Sequence, residues 1–223
     1  MSQMPYQNNR TRSIVCGIDE AGRGPLAGPV CAAAVVLNRD FPTDILADSK
    51  KLKPKDREEA RLVIIEQSLA WGVGWASHSE IDEINILKAS LLAMRRAFGC
   101  LTAVCPDEAN GIWPKNINSE KSFGKPFNNA AVPDKLEAIV DGTHCPELPV
   151  PCTAIVKADG KIHAVMAASI LAKTARDFLM EHYAKLYPVY GYERHKGYPT
   201  AEHRKLVLEH GFSAIQRKSF RVG

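Results

Sequence analysis

Asp19 and Glu20 are adjacent carboxylates in the stretch Ile18–Pro29, I-D-E-A-G-R-G-P-L-A-G-P, which follows the apolar run Ser13–Gly17. Successive side chains of a strand point to opposite faces. Neighbouring acids therefore converge on one point only where a strand ends or bends, and Gly22, Gly24 and Pro25 supply such a bend. Two further acids stand in similar company: Asp141 closes the run Leu136–Asp141 ahead of Gly142, and Asp159 precedes a long helical pattern. Hard divalent cations take oxygen ligands, and α/β sheets gather their sites at strand ends. The acids at the ends of these three segments thus form a candidate metal centre. Each also has an ordinary reading: a solvated turn, an Asp-Gly turn after a strand, an acid opening a helix. Spacing alone leaves both open.

The elements that would position these acids alternate strand and helix. Ser13–Ile18 and Val30–Leu37 read as strands, and the short glycine turn between them makes them antiparallel neighbours. Pro54 suits a helix first turn, and Asp56–Leu69 follows with Leu62, Ile65 and Leu69 on one face. Ala70–Ser77 reads as a third strand. Ser79 can cap the next helix, in which Leu87, Leu91, Met94 and Phe98 recur at helical spacing. Leu136–Asp141 and Cys152–Lys157 are two more strands, each after material long enough for a crossover. Ile162–Leu186 reads as a long helix whose small residues (Ala164, Ala167, Ala168, Ala172) allow close packing on a sheet. A last helix covers about Thr200–His210 and ends at Gly211.

Residues 105–133 are rich in Asn, Pro, Gly and Lys and show no steady period, so they read as a surface excursion without secondary structure. Residues 1–12 read as a flexible tail. The expected organisation is one catalytic domain over residues 13–223, with a basic helical segment at about 190–223.

The chain has 223 residues, 45% of them hydrophobic, enough to bury a full core. The polar N-terminus has no apolar signal core, and no apolar run approaches the roughly 18 residues that span a bilayer. A soluble, cytoplasmic protein is expected, with all six cysteines reduced. The formal net charge of +4 is concentrated at one end, since Tyr190–Gly223 holds seven Lys or Arg against three Glu. A basic end beside an acidic metal site suits a phosphodiester substrate, although on charge alone an ordinary basic surface helix is the slightly better reading.

Several familiar motifs are excluded. In Gly22–Gly28 the third glycine comes one place late for G-x-G-x-x-G, and Pro25 intrudes. There is no G-K-S/T and no H-E-x-x-H. His144, Cys145 and Cys152 fit no common zinc spacing.

The chain resembles the bacterial ribonuclease HII family, the type 2 ribonucleases H. The resemblance starts at Gly17–Val30 and continues through Asp48-Ser-Lys-Lys-Leu52, Ile81–Ala89, Val140-Asp-Gly142 and Ala167–Lys173. It ends with Tyr187–Gly191, His195–Thr200 and Arg217–Phe220. These blocks keep the family order along nearly the whole chain. The resemblance implies an α/β ribonuclease H-like fold: a five-stranded mixed sheet, the first three strands antiparallel, with flanking helices and a C-terminal helical segment. It implies four catalytic, metal-binding carboxylates, Asp19, Glu20, Asp141 and Asp159, holding two Mg²⁺ or Mn²⁺ ions. By family analogy Gly22, Arg23 and Gly24 would read a ribose 2′-hydroxyl, Tyr198 would stack on the following sugar, and Lys50 and Lys196 would lie near substrate phosphates.

The implied activity is endonucleolytic hydrolysis of the RNA strand of RNA–DNA hybrids, and cutting on the 5′ side of ribonucleotides embedded in duplex DNA. It would leave 5′-phosphate and 3′-hydroxyl ends and serve ribonucleotide removal in replication and repair. The 2′-hydroxyl is what separates RNA from DNA at a given nucleotide, and glycines allow close backbone approach to it. No membrane and no obligate protein partner are implied, and a monomer is expected. The sequence departs from the family pattern at Ala158 (usually Gly), Val165-Met166 (usually richer in Ala) and Gln216 (often His). Ribonuclease HIII, the sister family, usually lacks the Arg-Gly-Pro form of the glycine motif. A non-catalytic nucleic-acid-binding module would not need the four acids together.

Overall fold

A computed structural model of the chain describes residues 13–47, 49, 52–102, 117, 118, 120–127 and 132–223. The expected tail at residues 1–12 and Lys50 lie outside them. Six strands form one sheet: β1 (Ile14–Ala21), β2 (Val30–Val36), β3 (Ala70–Ala76), β4 (Phe123–Lys125), β5 (Leu136–Asp141) and β6 (Cys152–Ile155). Their spatial order is β4-β3-β2-β1-β5-β6. The hairpin β1–β2 and the pairs β2–β3 and β3–β4 are antiparallel; β5 joins β1 in parallel and β6 joins β5 in parallel. The mixed sheet and its first three antiparallel strands are as expected. The expected count of five is not: residues 123–125 add an edge strand, and Ile117, Phe123 and Phe127 are buried. A run of three residues is too short to show a period among Asn, Pro and Gly.

The helices are α1 (Pro54–Gln67), α2 (His78–Gly99), α3 (His163–Leu186), α4 (Tyr192–His195) and α5 (Ala201–His210). The strand pleat assigns the two faces of the sheet. Cys16, Ile18, Ala32 and Ala34 meet Ala89, Ala93 and Ala97 of α2, whereas Cys31, Ala33, Val35, Trp71 and Trp75 meet Ile64 of α1 and Ile170, Leu171 and Ala175 of α3. Small residues set how close the layers come. A Cβ on Gly17 would lie 2.1 Å from the Ala164 carbonyl carbon at the start of α3, so the absence of a side chain brings that helix directly onto β1. A third cluster, with Ala27, Met180, Tyr190, Tyr192, Val207 and Ile215, ties the C-terminal segment to the body.

Two local expectations are corrected. Ser77, not Ser79, caps α2: its hydroxyl accepts from the Glu80 amide while the Glu80 carboxylate accepts from the Ser77 amide, the reciprocal S-x-x-E box. Cys16, Cys31, Cys145 and Cys152 are free thiols, but Cys100 is disulfide-bonded. A disulfide needs only suitable Cα separation in the fold, which motif spacing does not report. No helix among the described residues is long and apolar enough to cross a membrane.

Candidate active site

β1 runs through both adjacent acids, pairing Asp19 with Ala33, Glu20 with Ala32 and Ala21 with Cys31. The expected stop at Ile18 is therefore wrong, and the pleat sends Asp19 and Glu20 to opposite faces. Asp19 lies on the face of Gly17, towards α3. β5 lies parallel to β1, with Val140 opposite Ile18, so Asp141 leaves its strand beside Asp19. The turn at Ala158–Gly160 delivers Asp159 just before α3.

These three aspartates converge. Asp19, Asp141 and Asp159 each offer an oxygen within 4.8 Å of the others. Asp141 accepts a 2.8 Å hydrogen bond from the Ala158 amide, which holds the Asp159 turn against β5. Asp19 accepts from the Glu20 amide at 2.7 Å, and the Ser169 hydroxyl of α3 stands close enough to favour its charged form. Ser169 in turn shares a 2.9 Å hydrogen bond with Ser49, which brings that serine to the back of the site. The sequence does not single out Ser169, because a serine in an alanine-rich helix reads as a small packing residue.

Glu20 lies outside the group of three. Its Oε1 accepts from Arg23 at 3.3 Å, and its Oε2 is buried with no hydrogen-bond partner among the described residues. Burial raises the Asp19 carboxyl well above the usual range, and the neighbouring Glu20 and Asp141 charges add to the effect. Burial also raises Glu20, against the lowering influence of Arg23. Crowded, half-desolvated carboxylates with an orphaned buried oxygen are poorly satisfied by the protein alone. A hard divalent cation would satisfy them, and an all-oxygen donor set is the kind such ions take.

The glycine turn and Tyr198 meet beside the acids. Gly22 has φ of +99°, a backbone region that L side chains rarely adopt. A Cβ on Gly24 would lie 3.7 Å from the Tyr198 ring, so the ring sits over that glycine. The Leu26 amide donates to the Gly197 carbonyl at 2.8 Å, joining the two loops. Arg23 is exposed apart from its contact with Glu20. Lys196 is engaged elsewhere: its ammonium pairs with Glu181 at 2.8 Å and donates to the Glu193 carbonyl.

The ribonuclease HII family model matches residues 16–222. Ribonuclease HII of Treponema denticola is 49% identical over 94% of this chain and 98% of its own. Ribonuclease HII of Dechloromonas aromatica is 46% identical over 93% and 90%. Among solved structures, ribonuclease H2 of Pyrococcus horikoshii superposes with a TM-score of 0.63 at 25% identity, covering 93% of this chain and 94% of that one. A match over nearly the whole length, joined to three convergent aspartates, places this chain in the ribonuclease HII family of endonucleolytic hydrolases.

Proposed function

We propose that this protein is a divalent-metal-dependent ribonuclease H that hydrolyses the RNA strand of RNA–DNA hybrids and cuts 5′ to ribonucleotides embedded in duplex DNA. The observation that carries the reading is the convergence of Asp19, Asp141 and Asp159 next to a glycine turn capped by an aromatic ring. These three and Glu20 would hold Mg²⁺ or Mn²⁺; a related fold, Bst-RNase HIII, was solved with Mn²⁺. Two bound cations would supply an activated water and charge stabilisation at the leaving 3′-oxygen, giving 5′-phosphate and 3′-hydroxyl products.

The chain's own residues do the positioning. Ser169 and the Glu20 amide orient Asp19, and the Ala158 amide orients Asp141. Gly22, Arg23 and Gly24 bring backbone within reach of a ribose 2′-hydroxyl. Tyr198, 39% exposed, offers its ring to the next sugar and so selects an RNA-to-DNA junction. Lys196, once released from Glu181, and Lys50 would meet phosphates. Action as a cytoplasmic monomer in ribonucleotide removal belongs to the same reading.

The test is an end-labelled DNA duplex carrying one ribonucleotide, incubated with Mg²⁺, Mn²⁺ or EDTA, with Asp19→Asn alongside. Metal-dependent cutting on the 5′ side of the ribonucleotide, lost in the variant, is expected. Cutting confined to runs of four or more ribonucleotides would remove the assigned roles of Gly22–Gly24 and Tyr198. Binding without cutting in either metal would leave a nucleic-acid-binding module.

A further inference from the structure

Arg217 and Arg176 are large charged side chains with relative exposures of 0% and 1%. Neither has a carboxylate partner among the described residues. Arg217 spends all five of its N–H donors on backbone carbonyls. Nε reaches Gly28 at 2.8 Å, Nη1 reaches Arg23 at 3.0 Å and Pro25 at 2.8 Å, and Nη2 reaches Gly22 at 2.6 Å and Pro29 at 3.1 Å. Arg176 gives Nε to Pro29 at 3.0 Å, Nη2 to Ala27 at 3.2 Å and Nη1 to Lys196 at 2.9 Å. Six carbonyls of Gly22–Pro29 thus point inward at two buried cations.

The consequence follows from peptide geometry. No peptide bond among the described residues is cis, and in a trans unit the C=O and N–H point in opposite directions. With the Gly22 and Arg23 carbonyls turned in, the amides of Arg23 and Gly24 are turned out, and neither has an acceptor among the described residues. Two successive outward amides backed by buried positive charge make a concave donor surface for an oxygen ligand. Arg176 extends the same unit to the second loop. It holds the Lys196 carbonyl, and its guanidinium lies 5.8 Å from the centre of the Tyr198 ring. It also accounts for Gly22, where a Cβ would fall 2.1 Å from Arg176 Nε.

We infer that Arg217 and Arg176 are positioning residues that aim the Arg23 and Gly24 amides at the ribose hydroxyl and lock the Tyr198 loop to them, so that hydroxyl and junction are read as one unit. This rests on the reading of Gly22–Gly24 and Tyr198 given above. An arginine can serve here where lysine cannot, because the planar fork presents five donors in fixed directions.

The experiment compares wild type with Arg217→Lys, Arg217→Ala, Arg176→Lys and a core control, Ile64→Ala in α1. Thermal melting, kcat and KM are measured on a single-ribonucleotide duplex and on a continuous RNA–DNA hybrid. Arg217→Lys is expected to lose at least tenfold in kcat/KM on both substrates, beyond any loss in a control of equal melting temperature. Millimolar methylguanidinium, but not methylammonium, should restore Arg217→Ala several-fold. Arg176→Lys should lose more on the single-ribonucleotide duplex than on the hybrid, because only the former depends fully on the junction. If Arg217→Ala does not fold, Arg217→Lys decides the matter alone. Arginine variants whose rates and substrate ratio merely track the melting temperature, as in the control, would overturn the inference. A wild type that cuts neither substrate with metal would overturn the underlying reading instead, and the inference with it.

Discussion

Ser49 and Ser169, 120 positions apart in the chain, share a 2.9 Å hydrogen bond, and Ser169 also reaches Asp19. A single buried hydroxyl on α3 therefore couples Ser49 to the most desolvated acid of the site. A hydrogen bond to a charged group contributes about 1.5–3 kcal/mol, so Ser169→Ala should slow metal-dependent cleavage by roughly 10- to 100-fold and weaken the apparent metal affinity. Cleavage rates over a Mn²⁺ titration check this. An unchanged rate and midpoint would mean that Ser169 only fills space.

Asp19 is 5% exposed and sits among acids. Its folded-state pKa is raised, first by burial and then by Glu20 and Asp141, so its ionisation opposes folding as pH rises from the ordinary value of about 3.9. In EDTA at pH 7.5, Asp19→Asn should raise the melting temperature by a few degrees, since about 1 kcal/mol corresponds to roughly 2–4 °C at this size. Mg²⁺ should stabilise the wild type more than the variant, because an ion that binds only the folded state adds stability by mass action. Melting curves with and without Mg²⁺ decide it, and a variant no more stable than wild type in EDTA would contradict the crowding argument.

Much of this arrangement is legible in the sequence, for identifiable reasons. The interval Leu136–Asp141 is recovered to the residue because an apolar run meets Asp-Gly, and α3 because its small residues recur over many turns. The acids Asp19, Asp141 and Asp159 are recoverable because each stands at an abrupt change from apolar to turn-forming residues. The relation of Asp19 to Glu20 is not, since register decides it and the ladder with β2 carries β1 through both. Arg176, Arg217 and Ser169 escape a residue-by-residue reading for another reason. Apart from the Lys196 carbonyl held by Arg176, these partners lie between 120 and 195 positions away, and in one dimension the three residues look like surface charges or packing.

The α2 cap illustrates the same limit at short range. Ser77 and Ser79 both precede an apolar period, and only the reciprocal Glu80 contact distinguishes them. Glu80 also holds Arg96 through Oε1 at 2.8 Å. Ser77→Ala should cost about 1 kcal/mol, lowering the melting temperature by roughly 2–4 °C with cleavage unaffected. Ser79→Ala should do much less. Equal losses from the two substitutions would reject the capping assignment.

His195 and His203 stack at 4.3 Å with 15° between ring planes, directly behind the Tyr198 loop. Burial favours the neutral form of both. His195 Nε2 donates to the Tyr190 carbonyl while Nδ1 accepts from the Gly197 amide. His203 Nδ1 donates to the Tyr198 carbonyl, and its buried Nε2 has no hydrogen-bond partner within bonding geometry among the described residues. Burial lowers both pKa values, outweighing the carbonyls that favour the charged form; Glu202, Glu193 and Arg194 act on His195, and His195 and Arg204 on His203. A base whose folded pKa is depressed leaves the unfolded chain holding more protons. Stability is then fully present above the unfolded value of about 6.5 and falls as pH drops from there towards the folded pKa. The melting temperature should therefore decline between pH 7 and pH 5, with KM for the single-ribonucleotide duplex rising over the same window as the Tyr198 loop loosens. His203→Asn, which keeps a donor in the Nδ1 position, should flatten both profiles. Melting and KM measured at half-unit steps test this, and a variant with the wild-type pH slope would show that the histidine pair does not govern the loop.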